Sequence, residues 1–157
     1  MEPNIGISEK NLRAVTDMLS IVLSDAMLLY IKTRKFHWNV NGESFMEYHK
    51  LFEGQYKQLE KAVDEIAERI NKLGTPALGT MKEFISLSGI KEAPGKYPTS
   101  AEMVEELLSD HETIIKALRK FVDDCADKYS DSGTADFLTG LMEEHETIAW
   151  TLRRYFN

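Results

Sequence analysis

Imidazole and carboxylate groups recur at helical spacing in one stretch of the chain. Glu53 follows His49 by four residues, and Glu68 follows Asp64 by four. Residues four apart on an α-helix lie one turn above one another on the same face, so each pair can act as one donor group. At 100° per residue all four positions fall within a sector of about 100° that flanks the apolar stripe. Glu53 and Asp64, however, are separated by roughly 16 Å along the axis, so a single helix cannot bring both pairs to one metal ion. Two antiparallel copies can. Positions 49 and 68, like positions 53 and 64, are placed symmetrically about the link between Gln58 and Leu59. A two-fold axis at that point sets His49 and Glu53 of one copy against Glu68 and Asp64 of the other, and it does so twice.

His37 precedes the turn Asn41-Gly42, which can bring the end of one helix beside the start of the next, within reach of His49. The expected site is therefore His37, His49 and Glu53 from one subunit with Asp64 and Glu68 from its mate. Three carboxylates within about 5 Å repel by roughly 3 kcal/mol per pair at an effective dielectric near 20, so such a pocket requires a cation or bound protons. Imidazole with carboxylate and no thiolate suits Fe(II), with Zn and Mn as competitors. Ordinary solvated surface charge, with Lys57 and Lys61 as ion-pair partners, accounts for the same residues in a monomeric helix.

His111 and His145 read differently. Their neighbours at three and four residues are Leu107, Leu108, Ile114 and Ile115 for the first, and Leu141, Met142, Ile148 and Ala149 for the second. Neither has a carboxylate within reach on its own helix, so both are read as core histidines hydrogen-bonded locally. No Glu-x-x-His pair occurs, which excludes the in-bundle di-iron site of larger ferritin-like proteins.

Four long segments must position these groups. Leu12, Val15, Leu19, Val22, Ala26, Leu29, Thr33 and Phe36 alternate at spacings of three and four. So do Phe45, His49, Phe52, Tyr56, Leu59, Val63, Ile66 and Ile70; Val104, Leu107, His111, Ile114, Leu118, Phe121 and Cys125; and Leu138, Leu141, His145, Ile148, Leu152 and Tyr155. Each is the buried seam of an amphipathic helix, and β alternation appears nowhere at length. Ser8 and Ser100 are expected as N-caps, Leu73-Gly74-Thr75-Pro76 as the stop of the second helix, and Ser132-Gly133-Thr134 as the turn before the fourth. Residues 74 to 99 are too long for a turn, and Met81 to Leu87 within them can form one short helix. The expected fold is all-α, one domain over residues 1–157: a ferritin-like four-helix bundle with a long crossover between helices two and three carrying a short extra helix.

Composition narrows the class. A length of 157 residues, 43% of them hydrophobic and 29% charged, suits one soluble domain. No apolar run is expected to span a bilayer, and the start Met1-Glu2-Pro3-Asn4 lacks the basic residues of a signal peptide. The single cysteine, Cys125, excludes an intrachain disulfide and is consistent with a reducing cytoplasm.

The stretch His37-Trp38-Asn39-Val40-Asn41-Gly42, with Phe45, His49, Leu51, Glu53, Asp64, Ala67-Glu68-Arg69-Ile70 and Leu73-Gly74, resembles the Dps family of the ferritin-like superfamily. The likeness extends over nearly the whole chain, including Gly79-Thr80 and Trp150-Thr151-Leu152. It implies an intersubunit ferroxidase centre at the positions singled out by spacing. It further implies a hollow homo-dodecamer built from two-fold dimers, oxidation of Fe(II) by hydrogen peroxide, storage of the ferric mineral, and protection from hydroxyl radicals. Family members often carry Asp where Glu53 stands; the longer arm keeps the charge and alters the placing of the second metal. Trp38 is a candidate electron donor or a packing residue. Asp127, Asp131 and Asp136 form an iron entry pore or a solvated acidic turn. DNA-binding members usually carry a mobile basic tail, whereas Met1 to Ile7 contains no Lys or Arg and the chain ends at Asn157. Twelve copies at −7 each carry about −84, so no tight DNA binding is expected.

Overall fold

The computed structural model describes residues 3–156. Met1, Glu2 and Asn157, on which the reading of the chain ends partly rests, lie outside the described residues. Five α-helices follow in order: α1 (Glu9–Asn39), α2 (Phe45–Lys72), α3 (Met81–Leu87), α4 (Ser100–Asp123) and α5 (Ser132–Arg153). There is no strand among the described residues. All eight residues of the first apolar seam are buried, and the seams of α4 and α5 are buried except for the half-buried Phe121 and Tyr155. The all-α bundle with a short helix in its long link is therefore the observed architecture.

Local chemistry sets the helix limits. Ser8 caps α1 by accepting from the Asn11 amide at 3.3 Å. Gly42 adopts φ 106° in the turn to α2, and Gly74 adopts φ 89° after the last turn of α2, conformations that a side chain would strain. Two caps differ from expectation. Thr99, not Ser100, caps α4, because Thr99 lies three residues before Glu102 and the two form a reciprocal capping box. Asp131 caps α5, so Ser132-Gly133-Thr134 is the first turn of that helix rather than a preceding loop. Asp131 is also buried and bound by Thr134 and Arg69, the latter at 3.3 Å. It is thus a structural residue, neither lining a pore nor solvated in an acidic turn, the two readings its sequence left open. Before it, Asp124–Lys128 forms one π-helical turn that buries Cys125.

The course of the crossover follows from its anchors on α1. Thr75 Oγ1 lies 3.3 Å from Thr16 Oγ1, the Asp25 carboxylate accepts from Ser88 Oγ and the Gly89 amide at 2.7 Å each, and Lys35 donates to the Ala93 carbonyl at 2.9 Å. The link therefore runs along α1 from its first half to its last turns. That path delivers α4 to the end of the bundle where α2 starts, making α2 and α4 parallel. On the way, α3 seats Phe84 in the core. Lys32, buried on α1, then ties α4 in place through Glu106 at 2.8 Å and Asp110 at 2.6 Å.

Contrary to expectation, α1 is long and apolar enough in composition to cross a membrane. The reason is its position: α2, α3 and α4 all pack against it, so its apolar residues occupy more than one face. Buried Asp25 and Lys32 are both paired, Asp25 with the crossover and Lys32 with α4, as buried polar groups require.

Candidate metal centre

His37 lies in the last turn of α1 and His49 near the start of α2, and the turn between them brings the two rings into contact. They stack at a centroid distance of 3.8 Å with planes 20° apart. Each ring holds the other's backbone: His37 Nδ1 is 2.7 Å from the His49 carbonyl, and His49 Nδ1 is 2.9 Å from the His37 carbonyl. A carbonyl oxygen can only accept, so each Nδ1 carries the proton. The His37 carbonyl belongs to the last turn of α1, where helical partners run out, and the His49 ring supplies the missing donor. Both rings are thereby fixed through Nδ1, which leaves Nε2 as the atom that can face a ligand, the orientation that a metal-binding histidine needs.

Aromatic rings support this pair. Phe45 lies 5.0 Å from His49, and the Tyr56 ring meets His37 edge-on at 5.2 Å. Arg34, one turn before His37, places its guanidinium 4.7 Å from the Tyr56 ring and 5.5 Å from that of Trp38. Sequence reading placed Tyr56 only on the apolar seam and passed over Arg34. Their spacing carried the signal: Tyr56 stands two turns beyond His49 on the same face, and Arg34 stands three residues before His37.

The carboxylates are arranged less closely. Glu53, half-buried, binds Lys57 one turn on, and that lysine holds its carboxyl below the usual carboxylate range; His37 and His49 act in the same direction more weakly. Glu68 pairs with Lys72 at 3.0 Å, and Lys61 pairs with Glu65 at 3.4 Å. Asp64 and Glu68 are exposed farther along α2, and their own chain does not bring them to the histidines. Among the described residues of one chain, no three His, Cys, Asp or Glu side chains are grouped closely enough to hold a metal ion. Asp64 instead borders an open groove in which Met27, Val63 and Leu78 stand beside the charged Lys57, Glu60 and Lys61.

His111 and His145 are not bonded locally. Both are buried, and their Nδ1 atoms lie 2.8 Å apart across the α4–α5 interface, so one donates and the other accepts. His111 Nε2 has no partner. An unpaired buried N–H is rarer than an unpaired lone pair, which assigns the shared proton to His111 Nδ1. Burial holds His111 well below the ordinary histidine value and His145 down to about 4. Desolvation without a nearby cation or carboxylate marks a structural pair rather than a ligand set.

Comparison with known proteins bears on the whole chain. The ferritin-like domain family matches residues 16–157. A low temperature-induced protein of Nostoc sp. is 45% identical over 97% of this chain and 85% of its own length. DNA protection during starvation protein 2 of Bacillus anthracis is 37% identical over 92% of this chain and 98% of its own. Among solved structures, the Dps protein of Bacillus brevis superposes with a TM-score of 0.90 at 29% identity, covering 96% of this chain and 100% of that one. Agreement in sequence and in backbone thus extends almost from end to end, and the chain belongs to the Dps family of the ferritin-like superfamily.

Proposed function

We propose that this protein is an iron-storing ferroxidase whose pockets form between two subunits, His37, His49 and Glu53 coming from one and Asp64 and Glu68 from the other. The observation that carries the reading is the reciprocal hydrogen bonding of His37 and His49, which fixes both rings through Nδ1 and leaves each Nε2 for a ligand, with His49 one turn before Glu53 on α2. The spacing of the α2 carboxylates supplies the rest. An antiparallel partner centred between Gln58 and Leu59 brings Asp64 and Glu68 to this point, and the groove beside Asp64, with both apolar and charged side chains, is a surface for such a partner to cover. The Dps relatives and the ferritin-like domain support iron as substrate; one structural neighbour, from Vibrio cholerae O1, is described as belonging to the ferritin-like diiron-carboxylate proteins.

Fe(II) is the substrate and hydrogen peroxide the oxidant in this reading. The chain's residues do three things. The two imidazoles donate lone pairs without adding charge. The carboxylates offset the charge of two ferrous ions after releasing Lys57 and Lys72. The ring stack limits water at the histidines. Two iron atoms side by side give peroxide both of its electrons at once, and the ferric product is stored in a dodecameric shell in the cytoplasm. Protection of DNA follows from removing iron and peroxide, without a requirement to bind the polyanion. Of Arg153 and Arg154 at the last helix end, Arg153 is paired with Glu112 at 2.8 Å.

An anaerobic Fe(II) titration followed by peroxide tests the proposal. The wild-type protein should bind about two iron atoms per chain, one two-fold-related site each, and oxidise them rapidly. His49→Ala with Asp64→Ala should lose both saturable binding and rapid oxidation. Unchanged binding in that double variant refutes the pocket.

A further inference from the structure

Beside the histidine pair lies a line of phenols that the iron chemistry described above does not use. Tyr56 contacts His37 edge-on at 5.2 Å, and the Tyr30 ring lies 6.3 Å from Tyr56, also edge-on. The Tyr30 hydroxyl donates to Glu60 Oε1 at 3.2 Å and accepts from Arg34 Nη1. Arg34 in turn lies over both rings, 4.7 Å from Tyr56 and 5.4 Å from Tyr30.

We infer that Tyr30 is a one-electron donor to the iron pocket, connected to it through Tyr56 and relieved of its proton by Glu60. A phenol gives up an electron readily only when its proton can leave with it, because the oxidised phenol is a strong acid. Tyr30 has a carboxylate in place for that proton, and its oxygen keeps a hydrogen bond from Arg34 after the proton has gone. No hydrogen bond of that kind supports the Tyr56 hydroxyl among the described contacts, which suits Tyr56 to passing an electron rather than holding the radical. Trp38, the residue suggested by sequence, is 63% exposed and lies over Arg34, with no ring contact to either histidine among the described contacts.

The inference rests on the iron reading above and concerns the half-loaded pocket. Peroxide needs two electrons to become two waters, and a single Fe(II) supplies one. The second leaves Tyr30. One Fe(II) becomes Fe(III), Tyr30 becomes a neutral phenoxyl radical, its proton passes to Glu60, and the O–O bond breaks. Two protons enter the product waters, one matching that released by the phenol and one from solvent. Without the phenol, the missing electron leaves a hydroxyl radical instead.

The test uses the full assembly loaded with one Fe(II) per pocket under argon, mixed with hydrogen peroxide and frozen. Phenoxyl radical is read by electron paramagnetic resonance, with ring-deuterated tyrosine to identify it, and hydroxyl radical by spin trapping. Each signal is normalised to the iron bound in the same sample. Wild-type protein should give a tyrosyl signal and little trapped hydroxyl. Tyr30→Phe, which keeps the ring and its packing, should lose the signal and raise the trapped hydroxyl several-fold. Glu60→Gln should lower the radical yield several-fold with the phenol still present. A full-strength phenoxyl signal in Tyr30→Phe, or unchanged hydroxyl release, overturns the inference. Wild-type protein that binds and oxidises iron without a tyrosyl signal overturns it alone, whereas absence of saturable Fe(II) binding removes the iron reading as well.

Discussion

His37 and His49 hold one another through their peptide groups, so the orientation of each ring depends on the presence of the other. His111 and His145 form the opposite kind of pair, two rings that share one proton in an apolar interior. The sign of their effect on stability follows from burial. In the unfolded chain both take a proton near 6.5, whereas the folded protein holds His145 to about 4 and His111 lower than its ordinary value. The unfolded state therefore binds more protons in that window. Stability should be full above pH 6.5 and fall steeply as pH drops toward about 4. Denaturant unfolding across that range checks this, with the slope flattened in a His111→Leu/His145→Leu variant. The pairing itself was not legible: each histidine's own helix shows only apolar neighbours, and the partner is 34 positions away. His37 with His49 was legible because a short turn leaves the two helix ends nowhere else to go.

Asp25 has a similar importance for the elements. One of its oxygens receives both Ser88 Oγ and the Gly89 amide, and it pins the middle of the crossover to α1. Asp25→Ala removes a charged acceptor from the half-buried Ser88 hydroxyl and the exposed Gly89 amide, a cost of about 1–3 kcal/mol. The variant should unfold at lower denaturant concentration, and amide exchange should accelerate first around Ser88 and Gly89. The helices themselves were readable from period alone, including the short Met81–Leu87 element, whose limits agree with expectation. Caps were readable to within one residue, since Thr99 and Ser100 are both good candidates and only the pairing with Glu102 decides between them. The path of the crossover was not readable. It depends on single polar contacts with α1 between residues dozens of positions apart, and an isolated Asp or Lys on an apolar helix gives no sign of which loop will meet it. The apolar extent of α1 was underread for a related reason, because a helix surrounded by neighbours has no single stripe.

At the scale of the whole molecule, the proposed pocket makes the assembly the working unit. A subunit lacking His49 and another lacking Asp64 are each inactive alone, yet a mixed dimer rebuilds one of its two sites. Co-assembly of equal amounts of His49→Ala and Asp64→Ala chains should restore about a quarter of wild-type iron oxidation under random pairing. A shared site gives this result; a site within one chain gives none, and stopped-flow absorbance of the mixture against the separate variants decides between them. The candidate donors were read from the symmetric placing of His49 with Glu68 and of Glu53 with Asp64 about one point on α2, whereas one chain brings only His37 and His49 into contact. The buried thiol adds a consequence for how long such an assembly lasts. Burial and the neighbouring Asp131 and Asp124 push Cys125 up to about 11, so its sulfur stays protonated at neutral pH, and peroxide attacks the anion. The chain thus keeps its sole cysteine chemically silent, and thiol oxidation does not limit how long the folded protein lasts.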